Sequence, residues 1–271
     1  MIAAVVAAAR AAGEAILAVR AGGELGAESK ADRSTVTRAD RAADALLRRE
    51  LLALDPAAAW LSEETADSGQ RSTASRLWIV DPLDGTKEFI AGLPEYVVAV
   101  ARVDRGAPVL GVVHNPATRE TFTAERGAGA WVEGPGGARE RRLQVADGDL
   151  LLVSRTEVAE GEFAPFEGHW RMQATGSIQY KLAQVAQGRA ALTLSRGPKH
   201  EWDVCAGALL IAEAGGVATD LFGAPLRYNQ AFPKVRGILA GAPAAARRAA
   251  EVIARVGASA RMREFDHAPG A

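Results

Sequence analysis

Two acidic residues three positions apart follow a short apolar run, and this pattern carries the clearest chemical signal in the sequence. Residues 77–80 form the run, and Asp81 and Asp84 follow it in a turn that also contains Pro82 and Gly85. An apolar run that ends at Pro and Gly predicts a strand and then a turn, with both carboxylates at the carboxyl end of the strand. Taken alone, the same residues are equally typical of a surface turn.

Thr86 comes directly after this turn and is expected to be the N-cap of a helix. The N–H groups of such a helix start attract an anion, whereas Asp81 and Asp84 would repel one. A hard divalent cation resolves the conflict, because it neutralises the carboxylates and prefers oxygen ligands. The pattern therefore predicts a magnesium-dependent phosphate site.

The composition limits the classes of protein to consider. The chain has 271 residues, 48% of them hydrophobic, with 32 Lys and Arg against 33 Asp and Glu. A nearly neutral chain lacks the basic surface that nucleic-acid binding requires, so no nucleic-acid partner is expected. The single cysteine, Cys205, excludes an internal disulfide and a zinc site built on several thiolates. The apolar N-terminus is interrupted by Arg10, Glu14 and Arg20, which predicts a helix of a soluble, cytoplasmic protein and no membrane span.

The first half of the chain reads as two helices followed by a largely antiparallel sheet, in which residues 96–103 and 109–114 form a hairpin. Residues 65–75 are expected to form a mobile loop. Residues 2–21 form the first helix, and the second ends before Pro56 with Asp40 in its first turn. Asp40 alone is more typical of an acid that complements the helix dipole. Glu63 and Glu64 end a strand shortly before the Asp81 turn, so one of them could reach the same cation, although adjacent glutamates usually form a solvated edge.

The second half, residues 146–271, is expected to be an α/β half that completes the site begun in residues 1–145. Its signals are a helix that opens with Gly176, Ser177 and Lys181 and an almost wholly apolar helix with Asp203 at its start. A helix with so few polar positions must be buried. Asp203 is either a simple N-cap or an acid that points into a site.

Other catalytic signatures are missing from the sequence. It contains no Gly-x-Ser-x-Gly elbow, no Walker A loop and no Gly-x-Gly-x-x-Gly after a strand. Its four histidines are scattered without the spacing of metal ligands. Carboxylate chemistry is what remains.

Three motifs together resemble the inositol monophosphatase family of Mg²⁺-dependent, lithium-sensitive phosphatases. They are Trp-Ile-Val-Asp-Pro-Leu-Asp-Gly-Thr at 78–86, Glu-Glu at 63–64, and Trp-Asp-x-x-Ala-Gly at 202–207 followed by Glu-Ala-Gly-Gly at 213–216. The resemblance covers nearly the whole chain. It implies an α+β fold, the layered αβαβα sandwich of the inositol monophosphatase and fructose-1,6-bisphosphatase type.

The resemblance also implies roles for individual residues. Metal ligands would be Glu63, Asp81, Asp84, Asp203 and the carbonyl oxygen of Leu83, which together bind two or three Mg²⁺ ions. The catalytic residues would be Glu63, Thr86 and Asp40, with Asp40 orienting Thr86 toward the attacking water. Gly85 and Thr86 would hold the phosphate through their N–H groups.

The substrate is predicted less directly. Leu83 and residues 87–90 look more like the 3'(2'),5'-bisphosphate nucleotidase branch of the family than the inositol monophosphatase branch, and residues 29–34 are similar to the same branch. Thr35 departs from this pattern, because proline is common there. This resemblance implies hydrolysis of 3'-phosphoadenosine 5'-phosphate, a by-product of sulfate assimilation.

The alternative substrates are inositol phosphate, fructose 1,6-bisphosphate and histidinol phosphate. A non-catalytic relative is rejected, because none of the metal carboxylates is missing. The only partner expected is a small-molecule phosphate ester, and a homodimer is possible because dimers are common in the family.

The pocket for the leaving group is expected near the Asp203 helix. Gly176, Ser177 and Lys181 are predicted to line it, and a second phosphate would need cations. The candidates for that role are Lys181, Lys199, His200 and Arg196. A solvated face is an equally reasonable interpretation of these basic residues.

Overall fold

Two large β-sheets alternate with three layers of helices. The structure is a computed structural model and describes residues 1–29, 35–67, 69–136, 138–257, 259, 262 and 265. Its main helices are α1 (Ile2–Ala21), α2 (Arg38–Leu54), α3 (Thr86–Ala91), α4 (Arg155–Ala159), α5 (Ile178–Ala186), α6 (Glu201–Glu213) and α7 (Pro243–Val256). Its strands in the first half are β1 (Glu28–Ser29), β2 (Thr35–Val36), β3 (Ala59–Ser62), β4 (Arg76–Asp84), β5 (Val97–Asp104), β6 (Ala107–Asn115), β7 (Glu120–Glu125), β8 (Gly129–Gly134) and β9 (Ala138–Arg142). Those in the second half are β10 (Leu150–Val153), β11 (Arg171–Ala174), β12 (Leu192–Ser195), β13 (Lys199–His200), β14 (Val217–Thr219), β15 (Lys234–Val235) and β16 (Ile238–Gly241).

The first large sheet has seven strands in sequence order, β3 to β9. Strands β3 and β4 are parallel, and every later neighbour is antiparallel. The predicted hairpin is confirmed as β5 and β6. Central strand β4 is covered on both faces, which explains why its residues 77–80 are continuously apolar rather than alternating.

The second large sheet has five strands in the order β11-β10-β12-β16-β14. Strand β10 pairs in parallel with β11 and β12, whereas β16 runs antiparallel to β12 and β14. Strand β11 was not predicted from the sequence, because its residues are mostly exposed and show no apolar alternation. It is an edge strand that depends on backbone pairing with β10.

Three apolar cores join these elements into five layers. The first core packs α1 and α2 against one face of the seven-stranded sheet. The second holds α5 and α6 between the two sheets, and the third packs α7 on the outer face of the five-stranded sheet. This αβαβα arrangement confirms the predicted fold class. The division of the chain at residue 145 stays a prediction, because the middle core contains residues from both sides of it.

Helix α1 confirms the helix predicted at residues 2–21. By length and composition it is apolar enough to cross a membrane, the one helix of the described residues that is. Its inward residues are nevertheless buried against α2 and the sheet, with Val5, Ala9 and Ile16 fully covered. The helix therefore serves as a layer of the apolar core in this structure.

Candidate active site

A cleft of about 610 Å³ lies where the end of β4 meets the N-terminal ends of α5 and α6. It brings together all the residues that were expected to hold metal. These are Glu63, Asp81, Leu83, Asp84 and Asp203. Gly85, Thr86, Gly176, Ser177 and Lys181 line the same cleft, so the structure gathers the predicted metal, phosphate and pocket residues in one place.

The end of β4 is shaped by a local irregularity. The pairing register with β5 shifts between Asp81 and Asp84, and the Leu83 N–H donates to Asp81 Oδ1 at 3.1 Å. Gly85 follows at a φ of 99°, where a Cβ atom would lie 2.6 Å from the carbonyl oxygen of Glu95. Only glycine fits this position. Gly85 is also the N-cap of α3, so the expectation that Thr86 caps this helix was wrong, and Thr86 is instead its first residue.

Asp84 is held from the second half of the chain. The Ser177 hydroxyl and the Gln179 backbone N–H both donate to Asp84 Oδ2, each at 2.6 Å. Ser177 is the N-cap of α5 and adopts a φ of 53°, which is uncommon for a residue other than glycine. The turn of β4 and the start of α5 are therefore joined at a predicted metal ligand.

Asp203 is not the N-cap of α6, which was one of the two roles that the sequence left open, because His200 takes that position. Asp203 is the third residue of α6, and one carboxylate oxygen accepts the His200 N–H at 2.8 Å, as the acid of a capping box does. It lines the cleft together with Asp84, as the other interpretation expected. Holding one oxygen of a carboxylate in this way orients the other oxygen for a ligand.

Crowding of acids gives the cleft its electrostatic character. Burial, followed by the charges of Glu63, Asp84 and Asp203, raises the pKa of Asp81 well above its usual value. Burial is also the main cause that raises the pKa of Asp84, and it raises the pKa of Asp203 to about 7. Each of these acids resists ionisation until a positive charge is near.

Hard divalent cations prefer oxygen ligands such as these carboxylate and carbonyl groups. The chemical type of the donors therefore suits such an ion. In the part of the chain that the structure describes, no three His, Cys, Asp or Glu side chains stand close enough to form a ready-made metal cage. The four acids share a cleft rather than a closed coordination shell. Their side chains would have to converge on an ion.

Asp40 and Thr86 form a pair beside the acids, as the sequence predicted. The Thr86 hydroxyl lies 2.9 Å from Asp40 Oδ1, while Asp40 Oδ2 accepts the N–H and hydroxyl of Thr37 at 2.7 and 2.6 Å. Asp40 is buried, which raises its pKa, and its hydrogen bonds to Thr37 and Thr86 oppose that effect. The carboxylate therefore caps α2 with one oxygen and holds Thr86 with the other.

Basic side chains also line the cleft. Lys181 is buried on α5, and burial lowers its pKa to about 8. Lys199 lies 3.3 Å from Oε1 of Glu157, which also accepts the Ser195 hydroxyl. The second oxygen of Glu157 is buried and has no hydrogen-bond partner among the described residues.

Two of the four basic residues that were candidates for binding a second phosphate, Arg196 and His200, do not line the cleft. Arg196 contacts Glu162 and the carbonyl oxygen of Gly257 and does not line the cleft, so its expected position beside the substrate was wrong. His200 stacks on Trp202 with ring centroids 4.2 Å apart. Residues 30–34, which entered the substrate prediction, lie outside the described residues.

The sequence interpretation missed Glu157, which lines the cleft, and Glu95, which supports it. Glu157 follows Ser154 at the spacing of a helix cap, and this pattern could have identified it. Glu95 accepts the Gly176 N–H at 2.6 Å and makes two hydrogen bonds with Arg155, so it fixes the loop that carries Ser177. It had no sequence signal, because its partners are distant in the chain.

The chain is similar to several known proteins in sequence and in fold. The sequence model of the inositol monophosphatase family matches residues 1–270. The 3'(2'),5'-bisphosphate nucleotidase CysQ of Escherichia coli (strain K12) is 38% identical over 225 residues, which is 82% of this chain and 91% of that protein. The inositol-1-monophosphatase of Rhizobium meliloti (strain 1021) is 38% identical over 201 residues, covering 69% and 73%. The crystal structure of CysQ from Bacteroides thetaiotaomicron matches with a TM-score of 0.74 and 29% identity over 89% of this chain and 96% of that one.

Proposed function

The chain belongs to the inositol monophosphatase family, and we propose that it is a magnesium-dependent phosphomonoesterase that removes the 3'-phosphate from 3'-phosphoadenosine 5'-phosphate. The observation that carries this proposal is a single cleft that holds both acids and cations. The acids and Thr86, which is paired with Asp40, line it together with Lys181 and Lys199. The similarity to bisphosphate nucleotidases over most of the chain supports the same substrate.

Glu63, Asp81, Asp84, Asp203 and the Leu83 carbonyl oxygen would hold the magnesium ions, of which we propose two or three. Bound Mg²⁺ would supply Lewis-acid stabilisation of phosphate charge and of the departing oxygen, and would lower the pKa of a water molecule. Ion identity and number are part of the proposal, whereas oxygen-rich donors in one cleft are observed.

Thr86 and Asp40 would aim the attacking water. Because the Thr86 hydroxyl donates to Asp40 Oδ1, its oxygen lone pairs are available to accept a hydrogen from water. As the water attacks, its proton passes to Thr86 Oγ1 while the Thr86 proton moves toward Asp40. Burial favours that transfer, since it raises the pKa of Asp40. Glu63 lines the same cleft as Thr86 and is proposed as the third catalytic residue.

The leaving group would lie beside the basic residues of the cleft. We propose that Gly85 and Thr86 hold the reacting phosphate through their N–H groups and that Gly176, Ser177 and Lys181 line the nucleoside pocket. Lys181, with Lys199 beside it, would bind the second phosphate. Paired cations that are partly withdrawn from water attract an anion more strongly than exposed lysines do.

An inositol or other sugar phosphate is the second candidate substrate. The similarity to an inositol-1-monophosphatase favours it, as does Glu157, whose unpartnered oxygen lies in a cleft-lining residue. A carboxylate oxygen accepts hydrogen bonds from sugar hydroxyls. Fructose 1,6-bisphosphate and histidinol phosphate belong to the same alternative.

Phosphate release by the purified protein with Mg²⁺ tests the proposal. The substrates are 3'-phosphoadenosine 5'-phosphate, inositol 1-phosphate and fructose 1,6-bisphosphate, each with and without lithium. We expect the adenosine bisphosphate to have the highest kcat/KM and lithium to inhibit its hydrolysis. A higher kcat/KM for inositol 1-phosphate would contradict the nucleotide substrate and support the sugar phosphate instead. With 3'-phosphoadenosine 5'-phosphate as its substrate, the enzyme would act in the cytoplasm, as a monomer or homodimer, on a by-product of sulfate assimilation.

A further inference from the structure

Gln179 connects the two parts of the cleft that supply the acids. It is the second residue of α5, and its side chain is completely buried. Its backbone N–H donates to Asp84 Oδ2 at 2.6 Å. Its side-chain Nε2 donates to the carbonyl oxygen of Trp202 at 2.7 Å, and its Oε1 accepts the Gly207 N–H at 2.8 Å.

The two side-chain bonds hold the N-terminal part of α6 on both sides of Asp203. Trp202 directly precedes Asp203, and Gly207 lies four residues after Asp203. A Cβ atom at position 207 would lie 2.8 Å from Gln179 Oε1 and 2.6 Å from Leu182, so glycine is what lets α5 and α6 approach this closely. The side-chain amide of Gln179 is therefore hydrogen-bonded to the helix segment that carries Asp203.

We infer that Gln179 is a positioning residue that sets the separation between Asp84 and Asp203 so that both can bind the same metal cluster. One residue contacts Asp84 through its backbone and the Asp203 helix through its side chain. A buried amide is unfavourable unless it is hydrogen-bonded. If Gln179 served only to fill space, an apolar side chain could do so without the free-energy cost of burying a polar group. The inference rests on the proposed function, because it takes Asp84 and Asp203 as metal ligands.

Gln179→Leu tests the inference, since it keeps the approximate volume and the backbone bond to Asp84 but removes both bonds to α6. Gln184→Leu is the matched control. Gln184 lies on the same helix, is buried and accepts a hydrogen bond from Arg189 at 2.9 Å, and it does not line the cleft. Mg²⁺ and Mn²⁺ affinity is measured by titration calorimetry on all three proteins, together with the melting temperature without metal and with kcat and KM at saturating metal.

We expect the Kd for metal to rise about 10- to 100-fold in Gln179→Leu and to stay within about twofold of wild type in Gln184→Leu. Excess metal should restore part of kcat in Gln179→Leu. A Gln179→Leu protein that is less stable but binds metal as tightly as wild type would overturn the inference, because a purely structural residue gives that result. Gln179→Met, which fills the same space more flexibly, is the second variant if Gln179→Leu does not fold, and the same change in Kd is expected of it. A wild-type protein that binds neither metal would instead overturn the proposed function.

Discussion

The hydroxyl of Thr86 has two acceptors within reach but only one hydrogen to give. Asp40 Oδ1 lies 2.9 Å from it and the Leu83 carbonyl oxygen 3.1 Å. A hydrogen bond to a carboxylate is the stronger of the two when Asp40 is ionised. Ionised Asp40 therefore draws the hydroxyl hydrogen of Thr86 toward itself and away from the Leu83 carbonyl oxygen. Its other oxygen caps α2.

Replacing Thr86 by Val should lower kcat by about 10²- to 10⁴-fold and change KM little, because the variant keeps the shape of the side chain but cannot relay a proton. Steady-state kinetics at saturating Mg²⁺ measure both constants. Thr118→Val is the control, since the Thr118 hydroxyl also bonds a carboxylate, that of Glu120 at 3.0 Å, outside the cleft. A Thr86→Val enzyme with kcat within a few-fold of wild type would contradict the role given to this hydroxyl.

Lys181 gives a prediction about pH. Burial lowers its pKa to about 8, so the side chain is charged below that pH and loses its charge as the pH rises through it. We expect KM for 3'-phosphoadenosine 5'-phosphate to be constant up to about pH 7 and to increase above about pH 8. KM for a substrate with a single phosphate should not show this increase.

Lys181→Arg is the matched variant for this prediction, because arginine keeps its charge throughout the range. Its KM profile should be flat between pH 7 and 9. A wild-type profile that is equally flat would show that Lys181 does not bind the second phosphate.

At the scale of the elements, the sequence was most informative where a pattern was local. Three elements were predicted because each has a local periodicity or composition that is typical of one kind of structure. They are the apolar run of β4, the hairpin of β5 and β6, and the almost wholly apolar α6. The two acids of the turn were found for the same reason. Their closeness to Asp203 came only from the family resemblance, since no local pattern links residues so far apart.

Elements that depend on distant partners escaped prediction. Residues 65–75 were expected to form a mobile loop, yet they contain a 3-10 turn at Gln70–Thr73 and the buried side chain of Arg71. Arg71 is held by Asp67 on one side and by Asn229 and the Gln230 carbonyl oxygen on the other. A Ser- and Gly-rich segment does not reveal such a partner more than 150 residues away.

The contacts of Arg71 extend to the helix that carries Asp203. The Asn229 and Gln230 N–H groups donate to the two carboxylate oxygens of Glu201, at 2.8 and 2.9 Å, and Glu201 is the fully buried first residue of α6. Asp67, which Arg71 holds, lies four residues after Glu63. This network therefore ties the segment after one predicted ligand to the helix of another.

Arg71→Met should lower the free energy of unfolding by about 3 kcal/mol, because it leaves Asp67, Asn229 and the Gln230 carbonyl oxygen without their shared donor. Urea unfolding measures the loss. Arg171→Met, which removes an exposed ion pair with Asp149, should cost less than about 1 kcal/mol. Equal losses in the two variants would show that the network does not stabilise the fold.

On the scale of the whole molecule, charge is balanced overall but not locally. The chain carries 32 basic and 33 acidic side chains, whereas the described residues that line the cleft include seven acidic and three basic ones. The acids come from segments next to the seven-stranded sheet, from α4 and its C-cap, and from α6, which lies between the sheets. Folding without a cation therefore brings carboxylates that repel one another close together where the layers meet. A bound cation would attract each of them and offset this repulsion.

Mg²⁺ should consequently stabilise the entire fold. At a free concentration of about 100 times Kd the gain is about 2.7 kcal/mol, and for a chain of this size that raises the melting temperature by roughly 5–10 °C. Thermal unfolding with Mg²⁺ and then with a chelator measures the shift and its reversal. Asp84→Asn should abolish both the shift and turnover, since losing one charge weakens metal binding more than it disturbs packing.

Asp220→Asn is the matched control, because Asp220 is a buried acid that accepts two backbone N–H groups in a turn outside the cleft. It should keep the full shift with Mg²⁺ even if its melting temperature without metal is lower. If Asp84→Asn were stabilised by Mg²⁺ as much as wild type, the ions would bind elsewhere, and the crowding of acids in the cleft would need another explanation. If it lost the shift and Asp220→Asn kept it, the same charges that oppose folding of this cleft would be those that bind the cation.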